Sequence, residues 1–350
     1  MLSPPYFYNG CGVLFLGAKV ANIVSVRLLN AEAVRQLLPM DRCVELMRKA
    51  MLLVAQEQTI QPIRSALRLP DGNGIMSLMP GYTADPRWLG IKVVSVFPGN
   101  SGSDRGSHQG AVLLFEPEHG SLVAIADGRE ITAIRTAAAT AVATDALAKR
   151  DAATLAILGY GEQARVHVQS LSLVRPIARI LVWGRNFATA ERFCEWAATQ
   201  TRASVEPVRE ARLAVAAADI ICTTTAASDP VLEGKWLRPG QHLNVVGSSI
   251  PTTAEIDNEA VARCRVLVDF RDSALQLAGE LRRAIQAGVV GKEHILGCVG
   301  EVFAGRIVGR ASDSDITMFK SLGMICEDLV AADFILSESE RHGVGSFVRW

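Results

Sequence analysis

Three cations stand where the surrounding residues are apolar or small. Arg64 falls on a stretch read as a strand over 63–69. Lys92 is enclosed in Gly90-Ile91-Lys92-Val93-Val94, and Arg135 in Thr132-Ala133-Ile134-Arg135-Thr136-Ala137-Ala138. A charge buried in such company needs a partner. One reading is structural: an edge-strand lysine and ordinary salt bridges. The other is a shared pocket, in which two guanidinium forks and an ammonium receive a carboxylate. Crowding would then lower the pKa of Lys92 and suit it to proton transfer. His108, in the Ser107-His108-Gln109-Gly110 loop, is a further candidate for lining that pocket, although a loop histidine is more often simply solvated.

A second constellation handles phosphate. Leu155-Ala156-Ile157-Leu158 reads as a buried strand, followed by Gly159-Tyr160-Gly161-Glu162-Gln163-Ala164 at the start of a helix. In this G-x-G-x-x-A turn Gly159 supplies a left-handed backbone angle, Gly161 lets a pyrophosphate approach, and Ala164 lets the helix pack close to the strand. The helix N-terminus then faces the phosphates. Such a motif is weak alone; the next strand, Arg179–Trp183, strengthens it by ending where a Rossmann unit reads the adenine ribose. The chain there is Trp183-Gly184-Arg185-Asn186, with an arginine and no carboxylate. That favours a 2′-phosphate, hence NADP(H) ahead of NAD(H), the alternative being a solvated Arg185. Lys320, in Lys320-Ser321-Leu322-Gly323, is a candidate to approach the same cofactor, with an amphipathic helix as its other reading.

These groups require elements to hold them. A strand over 25–29, helices over 31–38 and 40–56, and strands over 63–69, 75–79, 89–96, 111–116 and 121–127 read as a largely antiparallel sheet with two helices. An alanine-rich helix over 132–148 leads to alternating strands and helices: strands at 180–183, 220–223, 243–246 and 266–269, helices at 187–199 and 254–263. That rhythm predicts an α/β, doubly wound parallel sheet. Residues 313–333 have helical spacing at Phe319, Leu322, Ile325, Cys326 and Leu329, and this tail is expected to pack back on the first domain. The expected division is an extension over 1–23, a substrate-binding and dimerisation domain over 24–150 plus 313–350, and a Rossmann domain over 151–312.

Bulk properties narrow the partners. The chain has 350 residues, 49% hydrophobic, with a net charge of zero, so a nucleic acid or an anionic membrane is not the expected partner. Its seven cysteines, Cys11 among them, form no C-x-x-C pair, which predicts reduced thiols serving mainly as small core residues. His167, His242 and His294 lack neighbours that would make a metal or catalytic cluster, so no metal is expected. The apolar stretch at 11–24 is interrupted by Lys19, is too short to span a bilayer and lacks the layout of a secretory signal, which predicts a soluble protein, and the expected reduced thiols place it in the cytoplasm.

The ordered blocks Met79-Pro80-Gly81-Tyr82, Gly90-Ile91-Lys92, Asp127-Gly128, Thr132 to Ala138, Gly159 to Ala164, Gly247-Ser248-Ser249-Ile250-Pro251, Glu255-Ile256-Asp257 and Phe319 to Gly323 resemble the ornithine cyclodeaminase/mu-crystallin family, from about 24 to 338. The resemblance implies a homodimer with the Rossmann domain between two pieces of the first domain. It implies that Arg64, Lys92 and Arg135 hold the substrate carboxylate, with Thr136 beside them, and that Gly159, Gly161, Gln163 and Ala164 form the pyrophosphate turn. Glu162, Asn186, Thr136, Gly247, Ser248 and Lys320 complete the expected cofactor contacts. Cyclodeaminases of the family carry an aspartate after the fourth Rossmann strand; here the matching position is Ser249. A hydroxyl cannot replace a carboxylate as proton acceptor or amine anchor. The resemblance therefore implies a reductase of cyclic ketimines such as Δ1-pyrroline-2-carboxylate and Δ1-piperideine-2-carboxylate. An ornithine cyclodeaminase, an open-chain amino-acid dehydrogenase such as alanine dehydrogenase and a non-enzymatic NADPH-binding protein remain alternatives.

Overall fold

Two kinds of hydrophobic patterning along the chain produce two sheets. The computed structural model describes residues 25–100 and 105–349; the expectations for the 1–23 extension and for Cys11 lie outside them. The first part comprises β1 (Ser25–Leu29), α1 (Ala31–Leu37), α2 (Met40–Ala55), β2 (Thr59–Ile60), β3 (Ser65–Arg68), β4 (Ile75–Ala84), β5 (Arg87–Val96), β6 (His108–Phe115), β7 (Leu122–Asp127) and α3 (Gly128–Leu147). There follow β8 (Thr154–Leu158), α4 (Glu162–Val174), β9 (Arg179–Trp183), α5 (Phe187–Ala198), β10 (Ser204–Pro207), α6 (Ala211–Ala217), β11 (Ile220–Thr223), β12 (His242–Val245), α7 (Asn258–Arg263), β13 (Arg265–Val268), α8 (Arg271–Leu277), α9 (Gly279–Gln286), β14 (Ile295–Cys298), α10 (Val299–Phe303) and β15 (Thr317–Lys320). The chain closes with α11 (Ile325–His342) and β16 (Ser346–Arg349).

The first sheet runs β16-β1-β7-β6-β5-β4-β2, with β3 also on β4, and is antiparallel except where β1 meets β7. Its pleat sorts residues by face. Met79, Lys92, Val112 and Ala126 make one cross-strand row that is buried beneath the helices. The next row, Pro80, Ile91, Leu113 and Ile125, points the other way. The helical layer consists chiefly of α3 and α11, which pack on each other and on this sheet. α3 starts at Gly128, a turn earlier than the alanine-rich run suggests, because the Asp127 side chain caps it by accepting the Glu130 N–H at 2.8 Å. Fifteen of its 20 residues are buried, since it packs against α2, α4, α11 and the interior strands β12 and β15 of the second sheet at once. Alanine is small enough to admit neighbours on every side.

The second sheet is wholly parallel, in the order β10-β9-β8-β11-β12-β15-β13-β14. The first five of these strands form the 3-2-1-4-5 arrangement of a doubly wound fold, with the switch point between β8 and β11, where the crevice for a ligand opens. The glycine turn after β8 lies at that point. Cys43, Cys194, Cys222, Cys264 and Cys326 are buried among apolar residues.

Several expectations change. The 313–333 stretch is not one helix: Thr317–Lys320 is a strand between β12 and β13, and only residues from Ile325 onward are helical. All four residues of β15 are buried, as in any strand covered on both faces, so no period-2 pattern announced it. The parallel sheet therefore extends past the expected 312/313 boundary. The strand at 63–69 shortens to β3, leaving Arg64 just before it, and His108 opens β6 instead of lying in a loop. The 254–263 helix shortens to α7, capped by Asp257. No helix among the described residues is long and apolar enough to cross a membrane.

Candidate active site

Lys92, Arg135 and Arg64 converge between the first sheet and the start of α11. Lys92 and Arg135 are 2% and 4% exposed, so their partners decide what they do. Lys92 Nζ lies 2.7 Å from Asp328 Oδ2 and 3.5 Å from the Thr132 hydroxyl. Arg135 Nε donates to Asp328 Oδ1 at 3.0 Å, and its Nη1 to Glu327 Oε2 at 2.7 Å. Asp328 thus bridges the two cations. Glu327 and Asp328 occupy the first turn of α11, where carboxylates also complement the helix dipole. Arg64 is half-buried and reaches neutral acceptors, the carbonyls of Leu322 and, at 3.0 Å, Gly323. The N–H groups of those two residues in turn donate to Asp269 Oδ2, at 2.5 and 2.6 Å.

The position of α11 depends on two glycines. Gly81 and Gly90 are paired across β4 and β5 and face the helix. A Cβ on Gly81 would lie 2.3 Å from Ile325 Cγ2, and one on Gly90 2.4 Å from Leu329 Cδ2. The gap they leave lets the first turn of α11 settle against the sheet, which brings Asp328 within reach of Lys92 two residues beyond Gly90. Gly323 completes the approach from the other side, since a Cβ there would run into the Arg135 guanidinium.

Electrostatics tune the cluster toward neutral pH. Burial, reinforced by Arg135 and opposed by Asp328, lowers the Lys92 pKa to about 8. Burial raises the Glu327 carboxyl to about 7, against the pull of Arg135 and with a push from Asp269 and Asp328. Burial alone would lower the Arg135 pKa, but Asp328 and Glu327 more than offset it, so this guanidinium stays charged. The cluster therefore holds a fixed cation and two groups that exchange protons near neutrality.

The phosphate turn has the geometry its sequence implies. Gly159 has φ +121°, and a Cβ there would lie 2.8 Å from the Thr224 carbonyl oxygen, so only glycine fits. A Cβ on Gly161 would meet open space, and no side chain caps α4, whose first N–H groups stay available to a pyrophosphate. Ala164 is fully buried against the sheet, and the Gln163 side-chain oxygen is buried without a hydrogen-bond partner. Tyr160 covers Gly184 and accepts the Asn186 N–H at 3.3 Å, tying the end of β9 to the turn. Asn186 caps α5 by accepting from Thr189 N at 3.0 Å, while Arg185 is exposed. These residues fit a dinucleotide.

Helix α3 joins the two constellations. Near its start Arg129 pairs with Glu162, the first residue of α4, at 2.9 Å. Thr132 meets Lys92, and Arg135 meets the acids of α11. From Arg129 to Arg135 the helix rises about 9 Å, the scale of a small substrate plus a nicotinamide ring. Thr136 is buried beside Arg135; its carbonyl accepts the Thr140 hydroxyl, which in turn lies 3.0 Å from His167 Nε2 on α4. His167, pulled down to about 4 by burial, is a neutral strut.

The loop after β12 forms the opposite wall. Gly247 N–H donates to Glu255 at 2.6 Å, and the Ser248 hydroxyl donates to Glu280. Lys320 is fully enclosed beneath the loop, 2.8 Å from the Ser248 hydroxyl and 3.3 Å from Glu280 Oε2. Ser248 and Lys320 were both expected at the cofactor; the structure commits their polar atoms to one another under the loop, which leaves half-buried Ser249 as the adjoining hydroxyl. His108 is exposed at the start of β6, beside Ser107 and within the field of the Arg129–Glu162 pair, apart from the Lys92 cluster. Glu116, Glu118 and His119 lie close enough to suggest a cation site, but Glu116 already accepts the N–H groups of Glu118, His119 and Ser121.

Reasoning from sequence missed Glu327, Asp328 and Asp269. The signal was present: two adjacent carboxylates in Met324-Ile325-Cys326-Glu327-Asp328-Leu329-Val330 are as anomalous as Lys92. Opposite anomalies in distant segments are candidates to be partners.

A model of the ornithine cyclodeaminase/mu-crystallin family matches residues 25–342. The Δ1-pyrroline-2-carboxylate reductase of Bacillus cereus is 32% identical over 324 residues, covering 92% of this chain and 99% of that protein. The ketimine reductase mu-crystallin of Mus musculus is 36% identical over 276 residues, 79% of this chain and 84% of that one. The structure of Thermococcus litoralis Δ1-pyrroline-2-carboxylate reductase, in complex with NADH and L-proline, superposes with a TM-score of 0.89 at 33% identity, covering 92% of this chain and all of the other (100%).

Proposed function

The chain belongs to the ornithine cyclodeaminase/mu-crystallin family, and on that premise we propose that it reduces cyclic ketimines carrying a carboxylate next to the C=N bond. The substrates are Δ1-pyrroline-2-carboxylate, giving proline, and Δ1-piperideine-2-carboxylate, giving pipecolate. The observation that carries this reading is the placement, on successive turns of α3, of contacts to the phosphate turn and to the Lys92 cluster.

Reduction of a C=N bond adds hydride to carbon and a proton to nitrogen, and a reduced nicotinamide supplies the hydride. The remaining work belongs to side chains. Arg64, whose acceptors are neutral carbonyls, offers its charge to the substrate carboxylate. Arg135 extends that field while Glu327 and Asp328 keep its guanidinium fixed. Lys92 delivers the proton to the imine nitrogen, which makes the adjacent carbon a better hydride acceptor. Thr136 and Ser249 contribute hydroxyls, and without a carboxylate at position 249 the loop has nothing to anchor a free amine for cyclodeamination.

Within this reading Gly159, Gly161, Glu162, Gln163 and Ala164 hold the pyrophosphate. Arg185, with no acid between Trp183 and Phe187, turns the preference to NADP(H) over NAD(H). The outward row Pro80, Ile91, Leu113 and Ile125 is an apolar sheet face that a second copy covers, making a homodimer. The thiols and the cofactor suit the cytoplasm. The division of labour follows the two sheets: the first with the C-terminal helix for substrate and dimerisation, the second for nucleotide.

The test is oxidation of NADPH and NADH with Δ1-pyrroline-2-carboxylate. Saturable oxidation yielding proline, faster with NADPH at low cofactor, is expected. No oxidation, with ammonia released from ornithine and NAD, would replace the reading by cyclodeamination.

A further inference from the structure

Resting on the proposed preference for a 2′-phosphorylated cofactor, we propose that Arg209 is a second cation of the adenosine-phosphate pocket, held ready by Phe187. β9 and β10 run parallel and in register, Val182 opposite Pro207. The ladder continues one residue beyond β10, because Val208 N–H donates to the Val182 carbonyl at 2.8 Å. Arg209 therefore leaves the sheet alongside Trp183-Gly184, at the carboxyl edge where a doubly wound fold receives its ligand. Its guanidinium carbon lies 4.0 Å from the centroid of the Phe187 ring. Phe187 opens α5, directly after Asn186, whose capping hydrogen bond fixes the ring's backbone.

Stacking on an aromatic face holds a guanidinium flat while its in-plane N–H groups stay free for an anion. The neighbouring carboxylate does not neutralise it, since Glu210 pairs with Arg212 at 2.6 Å. The segment from Trp183 to Phe187 carries no acid. Arg185 and Arg209 thus flank the end of β9 from two strands, an arrangement for a phosphate monoester next to a purine nucleoside. Sequence gave no hint of Arg209, because it lies 24 residues after Arg185 and only the register of β9 with β10 brings them together.

The test is calorimetric titration of the full chain with adenosine 2′,5′-bisphosphate and with 5′-AMP, beside fluorescence titration with NADPH and NADH. Arg209→Ala is expected to weaken the bisphosphate about tenfold, the scale of one charge-assisted hydrogen bond, and to leave 5′-AMP within about twofold. Phe187→Leu, which keeps the charge and removes the stack, should lose part of the same selectivity. If Arg185→Ala loses selectivity and Arg209→Ala binds both nucleotides like the wild type, Arg209 is refuted and the cofactor reading stands. If the wild type itself does not favour the bisphosphate, the cofactor reading fails and takes Arg209 with it.

Discussion

Lys92 and Arg135 share the carboxylate of Asp328, yet replacing them should fail in different ways. Lys92→Met removes the proposed proton donor but leaves Asp328 bonded to Arg135, so the variant should fold, bind cofactor and lose at least about a hundredfold in turnover. Wild-type rate in that variant would remove Lys92 from the mechanism. Arg135→Met strands Glu327 and leaves Asp328 with Lys92 as its cation, and urea unfolding should report a loss of about 3–5 kcal/mol, typical of a buried charge deprived of its partner. The pH dependence has a defined sign. Lys92 has a lowered pKa of about 8, so the acid form needed for protonating the imine is present below that value and lost as pH rises through it. For stability the same shift means that the folded state binds fewer protons than the unfolded chain between about 8 and the ordinary lysine value, so Lys92 costs stability at neutral pH, a cost that falls as pH rises through that window. Asp328→Asn removes the charge that holds the Lys92 pKa up, so the descending limb of kcat/KM should move to lower pH with the same substrate. A limb that stays in place would assign it to another group. At this scale the cations were legible because each interrupts an apolar run. Their carboxylate partners were harder to read, since on a single helix over 313–333 Glu327 and Asp328 pass for ordinary charges beside the apolar stripe, and only the true start of α11 at Ile325 turns them toward the sheet.

At the scale of elements, the contact of α11 with the first sheet controls the cluster. A methyl group at Gly90 would meet Leu329, which can move, and the Leu113 carbonyl at 2.7 Å, which cannot. Gly90→Ala should therefore cost about 1–3 kcal/mol in denaturant unfolding, as overpacked positions do, and should lift the first turn of α11 from the sheet. Because that turn carries Asp328, the Lys92 limb should shift downward in the same variant, linking a packing defect to a change in proton affinity. An unaltered pH profile with reduced stability would show that helix position and site are uncoupled. Most elements could be read from the chain: α3 from its alanines, α4 from its glycine turn, β4 to β7 from alternation between turn residues. β15 could not, because a strand buried on both faces loses alternation and Lys320 interrupts its apolar run. Its lysine is accommodated only through Ser248 and Glu280, contacts made by residues far away in sequence. The boundaries that moved, at α3, α7 and β3, moved to where caps and ladder bonds end, which periodicity does not encode.

At the scale of the molecule, the first sheet has two apolar faces and, among the described residues, one layer of helices. The row Met79, Lys92, Val112 and Ala126 is covered by α3 and α11, while the adjacent row Pro80, Ile91, Leu113 and Ile125 has no layer above it among the described residues. The apolar surface continues to Leu67 and Met76, 63% and 45% exposed on the paired strands β3 and β4. A contiguous apolar face of this kind marks an interface, and a stable one buries about 1,200–2,000 Å² in total. Ile91→Glu places a carboxylate in the middle of that face without touching the helical side, so, if the proposed dimer uses this face, light scattering should report a dimeric wild type and a monomeric variant. The two rows alternate along β5, which means that covering Ile91 also stiffens the strand that presents Lys92. The monomeric variant should therefore keep its affinity for NADPH, which the second sheet provides, and lose kcat/KM for the imine. A variant that remains dimeric would move the interface elsewhere. One that becomes monomeric at full activity would show that a single copy holds β5 firmly enough for catalysis, with the helices alone positioning Lys92.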